Sequence, residues 1–148
     1  MNAFPDKICK LYDRCFTFDF KGCQPDWSVH ESSCFRLFKN KVSFDQAQAA
    51  CQAEGANLAS ILDIETNKFV IDLVGGGYFW IGGHQPAGSS DWKWVGKGQW
   101  AFTNWYPGEP NDVSGMEDCI AMGTKWHDNP CSLPRAYVCE ENAKGSDL

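Results

Sequence analysis

The stretch GEPNDVSGMEDCIAMGTKWHDNPC, residues 108–131, carries Glu109, Asp112, Glu117, Asp118 and Asp128 against a single lysine. Glycine and proline punctuate its first half, which therefore cannot form a regular helix. Carboxylate and amide oxygens clustered without several histidines suit a hard cation, calcium above all, which takes about six to eight oxygens in flexible geometry. Glu109 and Asn111 flank Pro110, and a cis Glu109–Pro110 bond would let both side chains face one ion. Glu117 would close the site from the far end of the loop, and Asp128 in KWHDN (125–129) would add a further ligand. The plain alternative is a solvated acidic loop, with Asp118 structural beside Cys119.

Outward from this loop, the chain has 148 residues and a formal charge of −6, without a lysine or arginine cluster. That balance argues against nucleic acid and against an anionic membrane surface. No apolar run approaches the ~20 residues needed to span a bilayer. The start, MNAFPDKICK, has no apolar segment of signal-peptide type. Eight cysteines at wide spacing, with no CxxC pair, read as a disulfide framework formed in an oxidising, extracellular compartment. Their number allows on the order of a hundred pairings, so spacing alone assigns none. No N-x-S/T sequon occurs.

Residues 1–22 form a cysteine-bearing N-terminal extension, 23–140 a single domain without linker or repeat, and 141–148 a solvated tail. Two helices are legible. VSFDQAQAACQAEG (42–55) offers Ser43 as N-cap with Gln46 three residues on, a capping box. Phe44, Ala47, Ala50 and Cys51 share its inner face, and Gly55 supplies a left-handed stop. DIETNKFVIDLVG (63–75) has Asp63 as N-cap, Phe69, Val70 and Leu73 inward, and a glycine run at its end. Beyond residue 77 the helical period is lost. YFWIGG, DWKWVG, QWAFTNW, EDCIAMG and RAYVCEE read as strands among long loops, giving an α+β class. Trp80, Trp92, Trp94, Trp100, Phe102 and Trp105 are expected mainly in the core.

The order of Cys23, Cys34, Cys51, WIGG (80–83), EPN (109–111), EDC (117–119), WHD (126–128), Cys131 and YVCE (137–140) resembles the C-type lectin domain. The resemblance implies a disulfide-bonded double-loop α+β fold with two helices and small antiparallel sheets. It implies bridges Cys51–Cys139, Cys119–Cys131 and Cys23–Cys34. It also implies a sugar-binding calcium held by Glu109, Asn111, Glu117, residue 127 and Asp128. The EPN signature implies mannose- or GlcNAc-type sugars, N-acetylated ones included.

One residue departs from that pattern: His127 stands where the family usually has asparagine. Histidine has no oxygen for calcium, and imidazole suits a hard cation poorly. His127 would instead stack on a pyranose face or an acetamido methyl while nearby acids accept hydrogen bonds, which makes calcium-independent binding the second reading. A third is a C-type lectin-like domain that binds protein, ice or mineral. The family's auxiliary calcium site is not expected, because GHQPAGSSDW (83–92) offers only Asp91 and Asp112 is isolated. Tyr106 and His84 lie in loops as candidate secondary sugar contacts.

Ser114, His127 and Asp128 sit in no G-x-S-x-G or HExxH context, so no enzyme is expected. Cys9 and Cys15 fall outside the implied bridges, and a disulfide-linked dimer through either would multiply weak single-site affinity. The expectation is a secreted lectin that recognises glycans, with innate immunity as the setting the family suggests.

Overall fold

A computed structural model describes residues 22–144 and the short strands 7–8 and 16–17. The expected dimer contact through Cys9 and Cys15 falls outside the described residues. In the first half, β1 (Lys7–Ile8) pairs antiparallel with β2 (Phe16–Thr17). They are followed by β3 (Ser28–His30), β4 (Ser33–Val42), α1 (Phe44–Ala53), β5 (Asn57–Leu58) and α2 (Ile64–Val74). The second half contributes β6 (Phe79–His84), β7 (Lys93–Trp94), β8 (Cys119–Met122), β9 (Trp126–Asn129) and β10 (Arg135–Asn142).

Both helices start and stop where their caps dictate. The Ser43 hydroxyl accepts from the Gln46 amide while Gln46 Oε1 accepts from the Ser43 amide, completing the capping box. At the other end Ala56 N–H donates to Cys51 O and Gly55 N–H to Gln52 O, a Schellman closure with Gly55 at positive φ. Asp63 accepts from the Thr66 amide at 2.8 Å, and Gly75 ends α2 in the left-handed region. α2 buries Thr66, Asn67 and Val70, leaving Phe69 and Leu73 half-buried against the core.

The sheet runs β3-β4-β10-β6-β8-β9, with β5 added to β10 and β7 to β6. All pairings in it are antiparallel except β6 with β10. The ten-residue β4 lies in the half of the sequence where only helices stood out, and its partner β10 is almost a hundred residues away in the chain. QWAFTNW, grouped above with the strand-like pieces, forms no named strand; its one ladder contact is the Trp105–Trp126 bridge. β10 continues through Asn142, so the last strand takes in the first two residues of the stretch read as a tail.

The glycines of WIGG sit where neighbours approach closely, backbone at Gly82 and side chains at Gly83. A Cβ on Gly82 would lie 2.7 Å from Leu58 O, and one on Gly83 would collide with the Ile120 side chain. The three implied bridges are present: Cys23–Cys34, Cys51–Cys139 and Cys119–Cys131.

Trp80 and Trp126 each centre a core cluster. Trp126 is fully buried and contacts the rings of Trp94, Trp100, Phe102 and Trp105 at centroid distances of 5.5 to 5.8 Å. The aromatics of the long loop are therefore packing groups, though only Trp94 among these four is fully inside. The Trp126 indole N–H donates to buried Asn67 Oδ1 at 2.9 Å, and this polar contact orients the ring. Replacing Asn67 with leucine leaves that N–H unsatisfied. The expected loss is about 1–3 kcal/mol, to be read from chemical denaturation against Asn67→Gln.

Candidate functional site

The site forms where the loop after Trp105 folds back on β9. Asp128, 1% exposed, accepts from the backbone amides of Asn111 at 3.0 Å and Asp112 at 2.7 Å, one on each carboxylate oxygen. Burying that charge is tolerable because both oxygens are hydrogen-bonded. Asp112 takes a left-handed conformation and opens a 3₁₀ turn over Val113–Gly115. Its Oδ1 accepts from Glu117 N–H, and Glu117 Oε1 accepts from Val113 N–H. The acids of the opening stretch thus order their own loop.

His127 points from the same strand to Glu109, with Nδ1 3.0 Å from Glu109 Oε2. Tyr106 stacks on the imidazole at 5.0 Å and Tyr78 meets it edge-on at 5.1 Å, so the ring is held between two tyrosines. Both tyrosines are about half exposed, 51% and 50%. When Glu109 is ionised, Nδ1 must donate to it, and the neutral ring then presents Nε2 as an acceptor. Glu109 Oε1 is buried without a hydrogen-bond partner among the described residues. The Glu109–Pro110 bond is cis. The Asn111 side chain is exposed and makes no hydrogen bond among the described residues, so its carboxamide is available to donate and accept.

Of the expected site residues, the fold brings Glu109, Asn111, Glu117, His127 and Asp128 to one loop-and-strand unit. His84 is elsewhere engaged: it stacks on Phe44 at 5.7 Å, and its burial lowers its pKa. Tyr78 carried no sequence signal beyond following a glycine run. Asn67 did carry one, as a polar residue three positions before Val70 on a buried helix face.

Residue 127 is the departure from a calcium donor set, because imidazole offers nitrogen where a hard cation takes oxygen. Both Asp128 oxygens and one Glu117 oxygen already hold loop amides, Glu109 is bonded to an imidazole, and residue 127 supplies nitrogen. Among the described residues no three His, Cys, Asp or Glu side chains converge as a metal site.

Residues 40–141 match the Lectin C-type domain, and the chain belongs to the C-type lectin domain family. The human protein C-type lectin domain family 10 member A is 35% identical over 127 residues, which are 80% of this chain and 40% of that protein. The chain therefore spans less than half of that relative's length. C-type lectin lectoxin-Lio3 of Erythrolamprus poecilogyrus is 32% identical over 136 residues, 84% of each chain. Among solved structures, the cow C-type carbohydrate-recognition domain of CD23, crystallised in the presence of GlcNAc2Man3 oligosaccharide, superposes with a TM-score of 0.78. It is 28% identical, covering 83% of this chain and 98% of that one. A calcium-independent type II antifreeze protein superposes with a TM-score of 0.77 at 30% identity, covering 82% and 95%.

Glu109 titrates in this setting. Burial raises its pKa above the ordinary carboxylate value and the adjoining Asp128 adds to the rise, while the hydrogen bond to His127 opposes it. The folded protein therefore holds this proton more tightly than the unfolded chain. The stabilisation is present below the unfolded pKa and is lost as pH rises through the raised folded value. The stability advantage of wild type over Glu109→Gln should accordingly fall as pH rises above the ordinary carboxylate range, measured by thermal melts in chelator.

Proposed function

We propose that this domain binds sugar at the face formed by EPN (109–111) and WHD (126–128), without a calcium ion. The observation that carries the reading is the His127–Glu109 contact at 3.0 Å, with the imidazole held between Tyr106 and Tyr78. An oriented ring edge beside a free carboxamide offers an acceptor at His127 Nε2 and a donor–acceptor pair at Asn111. Two adjacent equatorial hydroxyls, as in mannose or GlcNAc, present the complementary set. The exposed Tyr106 face offers apolar surface to a pyranose ring or an acetamido methyl. In this scheme Glu109 fixes the imidazole, Asp128 fixes the Asn111 backbone, and Glu117 steadies the loop and leaves one oxygen for a hydroxyl.

The presence of calcium-independent members among solved relatives is compatible with this reading. Three disulfides are compatible with an oxidising compartment, and we propose an extracellular binding protein. Among the described residues no helix is long and apolar enough to cross a membrane.

Binding to immobilised mannose, GlcNAc and GalNAc, with millimolar calcium and with chelator, tests the proposal. Retention should survive chelator. His127→Ala should weaken it about ten- to a hundredfold, the cost of a hydrogen-bonding group at a desolvated contact. Loss of binding in chelator, together with sensitivity to Asn111→Ala in calcium, would show instead that an ion carries the sugar. Silence toward all three sugars would move the assignment to a protein or other non-sugar ligand. His127→Asn, which restores the family's usual triplet, is expected to make binding calcium-dependent; chelator titration of the variant reads this directly.

A further inference from the structure

A second recess lies on the other side of Tyr78. It is a groove of about 390 Å³ between β4, the turn after α2 and the start of β10, lined among others by Leu37, Lys39, Lys41, Tyr78 and Arg135. Leu37, Lys39 and Lys41 alternate along β4 and so present one face to it. Among the described residues no acidic side chain lines the groove, although the chain as a whole is acidic. Lys39 and Lys41 are exposed and have no ion-pair or hydrogen-bond partner among the described residues.

Arg135 is the better-built member. One guanidinium nitrogen donates to Asn129 Oδ1 at 2.8 Å, and the cation lies over the Tyr78 and Trp80 rings at 5.6 and 5.8 Å. Its Nε is buried with no hydrogen-bond partner among the described residues. Burial also lowers the Arg135 pKa, so this cation lacks the counter-charge that its desolvation calls for. A fixed guanidinium fork with two mobile ammonium groups nearby suits an anion bearing several oxygens.

We infer that this groove binds an anionic group carried by a glycan, a sulfate ester or a carboxylate, through Arg135, Lys39 and Lys41. It shares only Tyr78 with the sugar face described above and stands whether or not that face binds neutral sugar. The bland role for the two lysines, complementing the C-terminal end of α2, would leave Arg135 Nε unexplained.

Dextran, dextran sulfate and carboxymethyl dextran test the groove on one backbone, by biosensor binding at physiological salt. The expected result is binding of one or both charged polymers and none of dextran beyond that of the sugar face. Which polymer binds identifies the anion. Lys39→Gln/Lys41→Gln should weaken that binding at least about tenfold, while Lys68→Gln/Lys93→Gln, which removes equal charge outside the groove, should not. Arg135→Lys keeps the charge and removes the fork, and a loss in that variant assigns the planar contact. Retention of wild-type protein on GlcNAc should be the same in the Lys39/Lys41 variant, which separates the two sites. Equal binding of charged and uncharged polymers, or equal loss in the two double variants, would overturn the assignment.

Discussion

The arrangement of the site depends on one buried carboxylate. A carboxyl group as deep as Asp128 needs hydrogen-bond donors, and the fold brings two consecutive loop amides onto it. That requirement fixes the path of the chain through Asn111 and Asp112, and with it where Glu109 stands relative to β9. β9 alternates fully buried Trp126 and Asp128 with partly exposed His127 and Asn129. Trp126 is held by its cage of rings and by Asn67, so the strand that carries Asp128 is itself immobilised from α2. A recognition surface is thereby set by contacts most of which no ligand touches.

Within that frame the acids also order their own loop. A calcium centre gathers about six to eight oxygens around one ion. Here both oxygens of Asp128 and one of Glu117 accept loop amides, and one of Glu109 meets an imidazole. The loop is ordered by hydrogen bonds among its own residues. A preorganised surface spends less of its binding energy on ordering itself. The cost lies in Glu109, whose buried oxygen makes no hydrogen bond among the described residues and whose charge faces Asp128.

Much of the fold was legible because local rules coincide with the tertiary outcome. Ser43–Gln46, Asp63, Gly55 and Gly75 specify helix ends by themselves, and the structure uses each of them. β4 was missed because its mixed sequence, SCFRLFKNKV, has no strict alternation; it is a strand because β10 lies against it, and that pairing is non-local. QWAFTNW looked strand-like from its aromatics, yet those rings serve to enclose Trp126, a three-dimensional role with no period. The acidic residues stood out as a cluster of like charge, and the fold brings them to one loop-and-strand unit. Their directions were not legible, since which carboxylate oxygen meets an amide and which meets His127 depends on the loop's path. Nothing in one dimension placed Tyr78 beside both His127 and Arg135.

The covalent closure has a mechanical consequence. Lys144 N–H donates to Gly22 O and Ala143 N–H to Ser32 O, so the chain enters and leaves the described domain side by side. A pull applied at those two points would peel these contacts and the end of β10 in turn, until the load reached Cys139. There the bridge to Cys51 carries tension straight across, and the segment between the two cysteines, a sequence separation of 88, is bypassed. Residues 109–128 lie inside that bypassed segment. A domain stretched between two attached bodies would give up its outer strands while the EPN and WHD residues stayed in register.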